Sequence, residues 1–228
     1  AIIDVKDGQQ PMQRTVGEET YTLVYNGELY NTDELHQKLV GIGYHFTTRS
    51  DTEVLLYAFI HWGIECVERL NGIFAFAVYM HGEKKLYIAR DRFGVKPLFY
   101  SYNRGVFLFA SEIKALLAHP LCTPIVNNEG LTLLLTIGPS RVPGKTVYEH
   151  ILELPPGHYL SVHNEKVTVG RYYSIESKVH EDDLQTTIDK VEHLVTKAIQ
   201  RQLVSDVPVC TFLSGGIDSS IISKIASD

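Results

Sequence analysis

Between Leu70 and Met80 the chain is almost continuously apolar, reading Leu-Asn-Gly-Ile-Phe-Ala-Phe-Ala-Val-Tyr-Met. A strand with one wet face alternates, whereas a run like this one belongs to a strand covered on both faces. The turn His81-Gly82-Glu83-Lys84 then leads into Leu86-Tyr87-Ile88-Ala89. A second hairpin is expected at Tyr102-Asn103-Arg104-Gly105-Val106, where Asn103 and Gly105 can take the positive φ of a tight turn. Two helices interrupt these strands. Asn31-x-x-Glu34 and Ser50-x-x-Glu53 both have capping-box spacing. Leu35, Leu39 and Ile42 follow the first; Val54, Leu55, Ala58, Phe59 and Trp62 follow the second on one helical face. Strands and buried helices therefore share one core up to about Tyr173, an all-β or α+β pattern.

Composition narrows the function. The 228 residues suffice for one large domain or two smaller ones. Hydrophobic residues are 44% and charged residues 21%, which excludes disorder and collagen-like structure. The formal charge of −6 argues against a nucleic-acid partner. No apolar run approaches the ~20 residues needed to cross a bilayer, so no membrane partner is expected. Cys66, Cys122 and Cys210 cannot all pair and show no CxxC spacing. His36, His45, His61 and His81 lie at no ligand-like spacing, so no histidine metal site is expected. The expected location is the cytoplasm.

The second unit begins after a polar, aperiodic stretch. Ser174–Glu181 reads as a linker. Leu184, Ile188, Val191, Val195, Ala198 and Ile199 then recur at helical spacing and predict a helix from Asp182 to Leu203. Val207-Pro208-Val209-Cys210-Thr211-Phe212-Leu213 reads as a short strand running into Ser214-Gly215-Gly216-Ile217-Asp218-Ser219-Ser220. Two glycines allow a close backbone approach, and a following helix offers free N–H groups and a partial positive charge to phosphate oxygens. The lysine of a Walker loop is absent, so any phosphate loop is of another kind. A Gly-Gly turn with ordinary serine and aspartate caps is the plain alternative. Ala1-Ile2-Ile3-Asp4-Val5 reads as the tail of a strand, and Ile222–Asp228 as a helix stopped after a few turns. Both ends thus read as interrupted elements, with further sequence expected on either side.

Strand–SGGIDSS–helix resembles the pyrophosphate loop of the N-type ATP pyrophosphatases. That resemblance implies that Ser214, Gly215, Gly216, Asp218, Ser219 and Ser220 form the loop, with backbone near Phe212 and Leu213 against adenine. It also implies ATP with Mg²⁺, which Asp218 would support; its plain role is a helix N-terminal acid. Four upstream segments resemble class II glutamine amidotransferases, which have the N-terminal-nucleophile fold. They are Val24–Asn31 (VYNGELYN), Ser50–Glu53 (SDTE), Leu70–Phe76 (LNGIFAF) and Ala89–Leu98 (ARDRFGVKPL), and the match continues through Phe109–Lys114 (FASEIK). Together the motifs are similar to the glutamine-hydrolysing asparagine synthetase family over essentially the whole chain.

The resemblance assigns roles that the chemistry makes sensible. Glutamine hydrolysis passes through a tetrahedral oxyanion and needs preorganised donors. Asn26 and Gly27 match the family's side-chain and backbone donors. Glu28 and Asp51 match the carboxylates that hold the substrate's α-ammonium. By themselves Asn26-Gly27 would be a β-turn and Asp51 a first-turn helix acid beside its Ser50 cap. Arg90, Asp91 and Lys96 are expected to be structural ion pairs and turn anchors. One departure is severe: the family's nucleophile is an N-terminal cysteine whose own amino group is the base, yet this chain opens with Ala1. The family arginine that grips the glutamine carboxylate also precedes the matching region. The 228 residues alone are expected not to hydrolyse glutamine.

The expected architecture is α+β. Residues 1–173 form a layered αββα amidotransferase domain, 174–181 the linker, and 182–228 the start of an α/β ATP-pyrophosphatase domain. The implied reaction is ATP-dependent amidation of aspartate by glutamine-derived ammonia through β-aspartyl-AMP. Glutamine, aspartate and ATP are the implied small-molecule partners, with room for a homodimer. The rivals are a β-lactam synthetase-like ligase, which lacks the nucleophilic cysteine and closes a ring, and a non-catalytic regulatory protein on the same scaffold.

Overall fold

A computed structural model describes residues 8–138, 142–205 and 208–227. The expected strand tail at 1–5 lies outside them, as do Val207 and Asp228. In chain order the elements are β1 (Met12–Val16), β2 (Glu19–Leu29), α1 (Thr32–Gly41), α2 (Asp51–Trp62), β3 (Gly72–Met80), β4 (Lys85–Arg90), β5 (Phe99–Asn103), β6 (Val106–Ala110) and α3 (Ile113–Leu117). They continue with α4 (Asn128–Ile137), β7 (Leu152–Glu153), β8 (His158–His163), β9 (Lys166–Arg171), α5 (Leu184–Gln202) and α6 (Ile217–Ser227). Six strands make one antiparallel sheet in the order β1-β2-β3-β4-β8-β9, and three make a second in the order β6-β5-β7.

The apolar run at 70–80 is explained by what covers β3. Phe74, Phe76 and Val78 join Leu23 and the α1–α2 residues Leu35, Leu39, Leu55 and Phe59 in one core. Ala75 and Ala77, on the other face, join Leu98, Leu154 and Leu160, with Tyr100, Phe107 and Phe109 of the second sheet packed on them. Alternate residues thus meet different layers, and neither face can be polar. Beyond the second sheet, Phe99, Cys122 and Ile151 pack with Leu116 of α3. The succession is helix, sheet, sheet, helix.

Both capping boxes are corrected. Ser50 does cap α2, accepting from the Thr52 N–H at 3.1 Å, but Glu53 does not reach back to Ser50. It is fully buried and accepts from the Thr47 and Thr48 N–H groups and from Arg14. Asn31 makes no side-chain cap either. Its amide instead donates to the Arg69 carbonyl at 3.0 Å and accepts from the Asn71 N–H at 2.9 Å. In each case tertiary donors displaced a local bond of similar strength. The hairpin correction is smaller: Arg104 and Gly105 hold the positive φ of +52° and +76°, and Asn103 is the last residue of β5.

The expected strand before the SGGIDSS loop is not formed. Residues 208–213 have no ladder partner, and Phe212 and Leu213 are 92% and 67% exposed. A strand needs a neighbour to take its N–H and C=O groups, and no described strand lies beside this one. The helices on either side do form. Leu184–Gln202 falls within the expected 182–203, capped by Asp183, which accepts from the Thr186 N–H at 2.7 Å. α5 and α6 pack on each other yet bury no residue fully. No described helix is long and apolar enough to cross a membrane.

Candidate functional site

The last turns of β2 carry the first three candidates. The strand's pleat sends Leu23, Tyr25 and Leu29 toward the helices, so Asn26 and Glu28 lie on the opposite face. Register with β3 pairs Asn26 with Ala75, Gly27 with Phe74 and Glu28 with Ile73. Gly27 is required by space: a Cβ there would lie 2.3 Å from the Ile73 carbonyl oxygen and 2.8 Å from the Phe74 Cα. Asn26-Gly27 is therefore strand backbone and not the β-turn the dipeptide favours by itself.

Asp51 reaches the same place from the first residue of α2. Its Oδ2 accepts from the Tyr25 hydroxyl at 3.0 Å and the Leu29 N–H at 3.2 Å, which ties the helix start to β2. Burial pushes its carboxyl up, and the nearby Glu28 charge adds to that push against the hydrogen bonds from Tyr25 and Leu29. Burial and the Asp51 charge also push the Tyr25 phenol up, so it remains a donor. Asn26, Gly27, Glu28 and Asp51 line one cavity of about 220 Å³. That is below the ~300–1,000 Å³ of sites for drug-sized ligands, and suits one small metabolite. Glu28 and Asp51 bring two carboxylates to this pocket, and Lys96 and Arg201 bring two cations.

Arg90 and Asp91 prove to be the expected anchors. Arg90 pairs with buried Glu153 at 2.9 Å and donates to the Gly94, Lys96 and Leu154 carbonyls. Asp91 accepts from the Phe93, Val95, Lys96 and Phe74 N–H groups. The 91–96 turn is fixed by these bonds, and it presents Lys96 on the pocket wall, a position missed when Lys96 was read only as an anchor. Tyr25 and Tyr30, both within the 24–31 motif, also line the cavity, as does Arg201 from the end of α5, which had no sequence signal. Of the cysteines, Cys66 and Cys122 are buried, Cys210 is exposed, and none lines the pocket. Burial pushes the Cys66 thiol up, away from the thiolate a nucleophile needs.

The SGGIDSS residues lie apart from that cavity and open to solvent. Gly215 has φ +85°, a conformation that favours glycine. The Ser219 and Ser220 hydroxyls donate to the Gly216 carbonyl at 3.0 and 2.8 Å, and Ser214 Oγ lies 3.0 Å from Ser219 Oγ. The helix's own bonds start with Ser220 N–H to Gly216 at 3.1 Å, leaving the N–H groups of Ile217, Asp218 and Ser219 at the open end. A Cβ on Gly216 would meet only ordinary contacts, 3.7 Å from Ser214 Oγ and 4.0 Å from Ser219 Oγ. The open N–H groups at the start of α6 fit a phosphate group. Asp218 is the acid in the first turn; among the described residues no group of three His, Cys, Asp or Glu gathers to hold a metal. A single carboxylate fits a magnesium that arrives with phosphates.

A family model described as a glutamine amidotransferase domain matches residues 1–173. The chain belongs to the glutamine amidotransferase domain family. A second model, asparagine synthase, matches residues 190–228. The chain is 49% identical over 227 residues to asparagine synthetase [glutamine-hydrolyzing] 3 of Bacillus subtilis, covering 100% of the chain and 37% of that relative. Identity to asparagine synthetase [glutamine-hydrolyzing] 1 of the same organism is 35%, over 100% of the chain and 36% of the relative. The chain thus spans little more than a third of these curated relatives. Among solved structures, the glutamine phosphoribosylpyrophosphate amidotransferase of B. subtilis aligns over 72% of this chain and 32% of its own, with TM-score 0.51 and 24% identity. The fold is therefore the layered αββα arrangement of the N-terminal-nucleophile amidotransferases.

Proposed function

We propose that the whole protein is a glutamine-hydrolysing asparagine synthetase, converting ATP, aspartate, glutamine and water into asparagine, glutamate, AMP and pyrophosphate through β-aspartyl-AMP. The carrying observation is the convergence of Asn26, Gly27, Glu28 and Asp51 on one small cavity in a chain that also bears the SGGIDSS helix. Glu28 and Asp51 hold the glutamine ammonium. The Asn26 amide and the Gly27 N–H donate to the oxygen that becomes anionic when the carboxamide is attacked. No residue of these 228 is assigned the attacking thiol. ATP and Mg²⁺ are assigned to the second site, where Ser214, Gly215, Gly216, Ser219 and Ser220 cradle pyrophosphate oxygens, backbone at Phe212 and Leu213 borders adenine, and Asp218 faces the metal.

Residues 1–173 are assigned to glutamine hydrolysis, 174–181 to a linker and 182–228 to the start of the ATP unit. The limits of the two family matches and the lack of regular structure between Arg171 and Leu184 support this division. Three free cysteines fit the cytoplasm. The test is release of pyrophosphate and asparagine by the whole protein, dependent on ATP and aspartate. Asp218→Ala is expected to lower this synthesis by at least ~10²-fold while glutamine hydrolysis stays within ~2-fold, because the damage is confined to one site. Equal loss of both activities in a folded variant would contradict the division.

A further inference from the structure

Asn26 stands on the face of β2 that looks toward the second sheet, and its amide crosses the gap. Its Nδ2 donates to Ser111 Oγ at 3.3 Å, a contact between residues 85 positions apart. Ser111 directly follows Ala110, the last residue of β6. Beside them, Val24, Ala75, Ala77 and Phe109 line a cavity of about 220 Å³ between the sheets. No close-packed wall therefore restricts the amide there. The final torsion of an asparagine is broad and nearly two-fold, so an unrestrained amide presents oxygen about as readily as nitrogen. An oxyanion donor must present an N–H.

We propose that Ser111 is a positioning residue that holds the Asn26 amide with its nitrogen toward the substrate. This rests on the reading of Asn26 as the oxyanion donor. The amide nitrogen has two protons: Ser111 Oγ accepts one, and the other is available to the cavity that Asn26 lines. Ser111 touches no substrate and acts only through Asn26. The contact also joins the two sheets at the site, so the donor's aim depends on their spacing.

The experiment is steady-state glutamine hydrolysis by the whole protein. Ser111→Ala is expected to lower kcat about 10-fold with the glutamine KM within ~2-fold, since only transition-state stabilisation is lost. Ser111→Thr, which keeps the hydroxyl, is expected to retain kcat. Asn26→Ala is expected to lower kcat by ~10²–10³-fold, the loss typical of one oxyanion donor. Adding Ser111→Ala to Asn26→Ala is expected to change nothing more. An unchanged kcat in Ser111→Ala, failure of threonine to rescue, or an equal further loss in the double variant would overturn the proposal. An unchanged kcat in Asn26→Ala would overturn the oxyanion reading itself, a separate result.

Discussion

Asp51 is a carboxylate that the fold keeps at a disadvantage. It is 9% exposed, beside Glu28, and its carboxyl is raised chiefly by burial. A group whose folded pKa exceeds its unfolded value loses stability as pH rises through that interval. Asp51→Asn removes the charge while its amide oxygen can still accept from Tyr25 and Leu29. The variant is expected to melt higher than the parent at pH 7, with the gain vanishing as pH falls toward the carboxyl's ordinary 3.8. Its glutamine KM is expected to rise ~10–100-fold, the loss of a charge-assisted hydrogen bond worth ~1.5–3 kcal/mol. Thermal unfolding across pH and hydrolysis kinetics read the two effects; a lower melting point at pH 7 would contradict the first. At this scale the motifs single out Asn26, Gly27, Glu28 and Asp51, and the fold brings all four to one cavity. Tyr25, Lys96 and Ser111 stand in the same motifs, but their contacts were not legible, since each depends on a partner distant in sequence or on a turn fixed by other residues.

Among the elements, α2 shows how a local pattern yields to tertiary bonding. Glu53 has the spacing of a capping-box acid but serves as a buried hub for the 47–48 turn and Arg14 of β1. Burial would raise its carboxyl, yet Arg14 and the Thr47–Thr48 donors outweigh that and hold it below the usual carboxylate range. Its contribution is therefore present at neutral pH and lost as pH falls through the depressed value. Glu53→Ala is expected to destabilise the fold by ~3 kcal/mol at pH 7, the low end for breaking a buried pair because Arg14 keeps some solvent contact. Urea unfolding at pH 7 checks this; a loss under ~1 kcal/mol would show that the turn is held by other means. Elements with a pattern of their own, the apolar run of β3 and the helical period of α5, were legible within a few residues. The strand expected before the SGGIDSS loop does not form over residues 208–213, because an apolar pattern states a preference and a strand also requires a partner.

On the scale of the whole molecule, the two units differ in how they are completed. The amidotransferase layers bury Phe74, Phe76, Leu55 and Leu160 almost fully, whereas α5 and α6 leave Leu184, Ile217 and Phe212 nearby largely open. The layered architecture followed from the doubly covered β3 strand and the motif order. The proximity of Arg201, on α5, to the glutamine cavity did not, because contact between units leaves no periodic trace in sequence. The central claim is that β2 and the start of α2 build one receptor for an amino acid. A crystal structure of the whole protein with glutamine or glutamate bound tests it most directly. The ligand's ammonium is expected within ~3 Å of both the Glu28 and Asp51 carboxylates and its δ-oxygen at the Asn26 amide and Gly27 N–H. A ligand bound with its ammonium away from those carboxylates, or in another cavity, would contradict it.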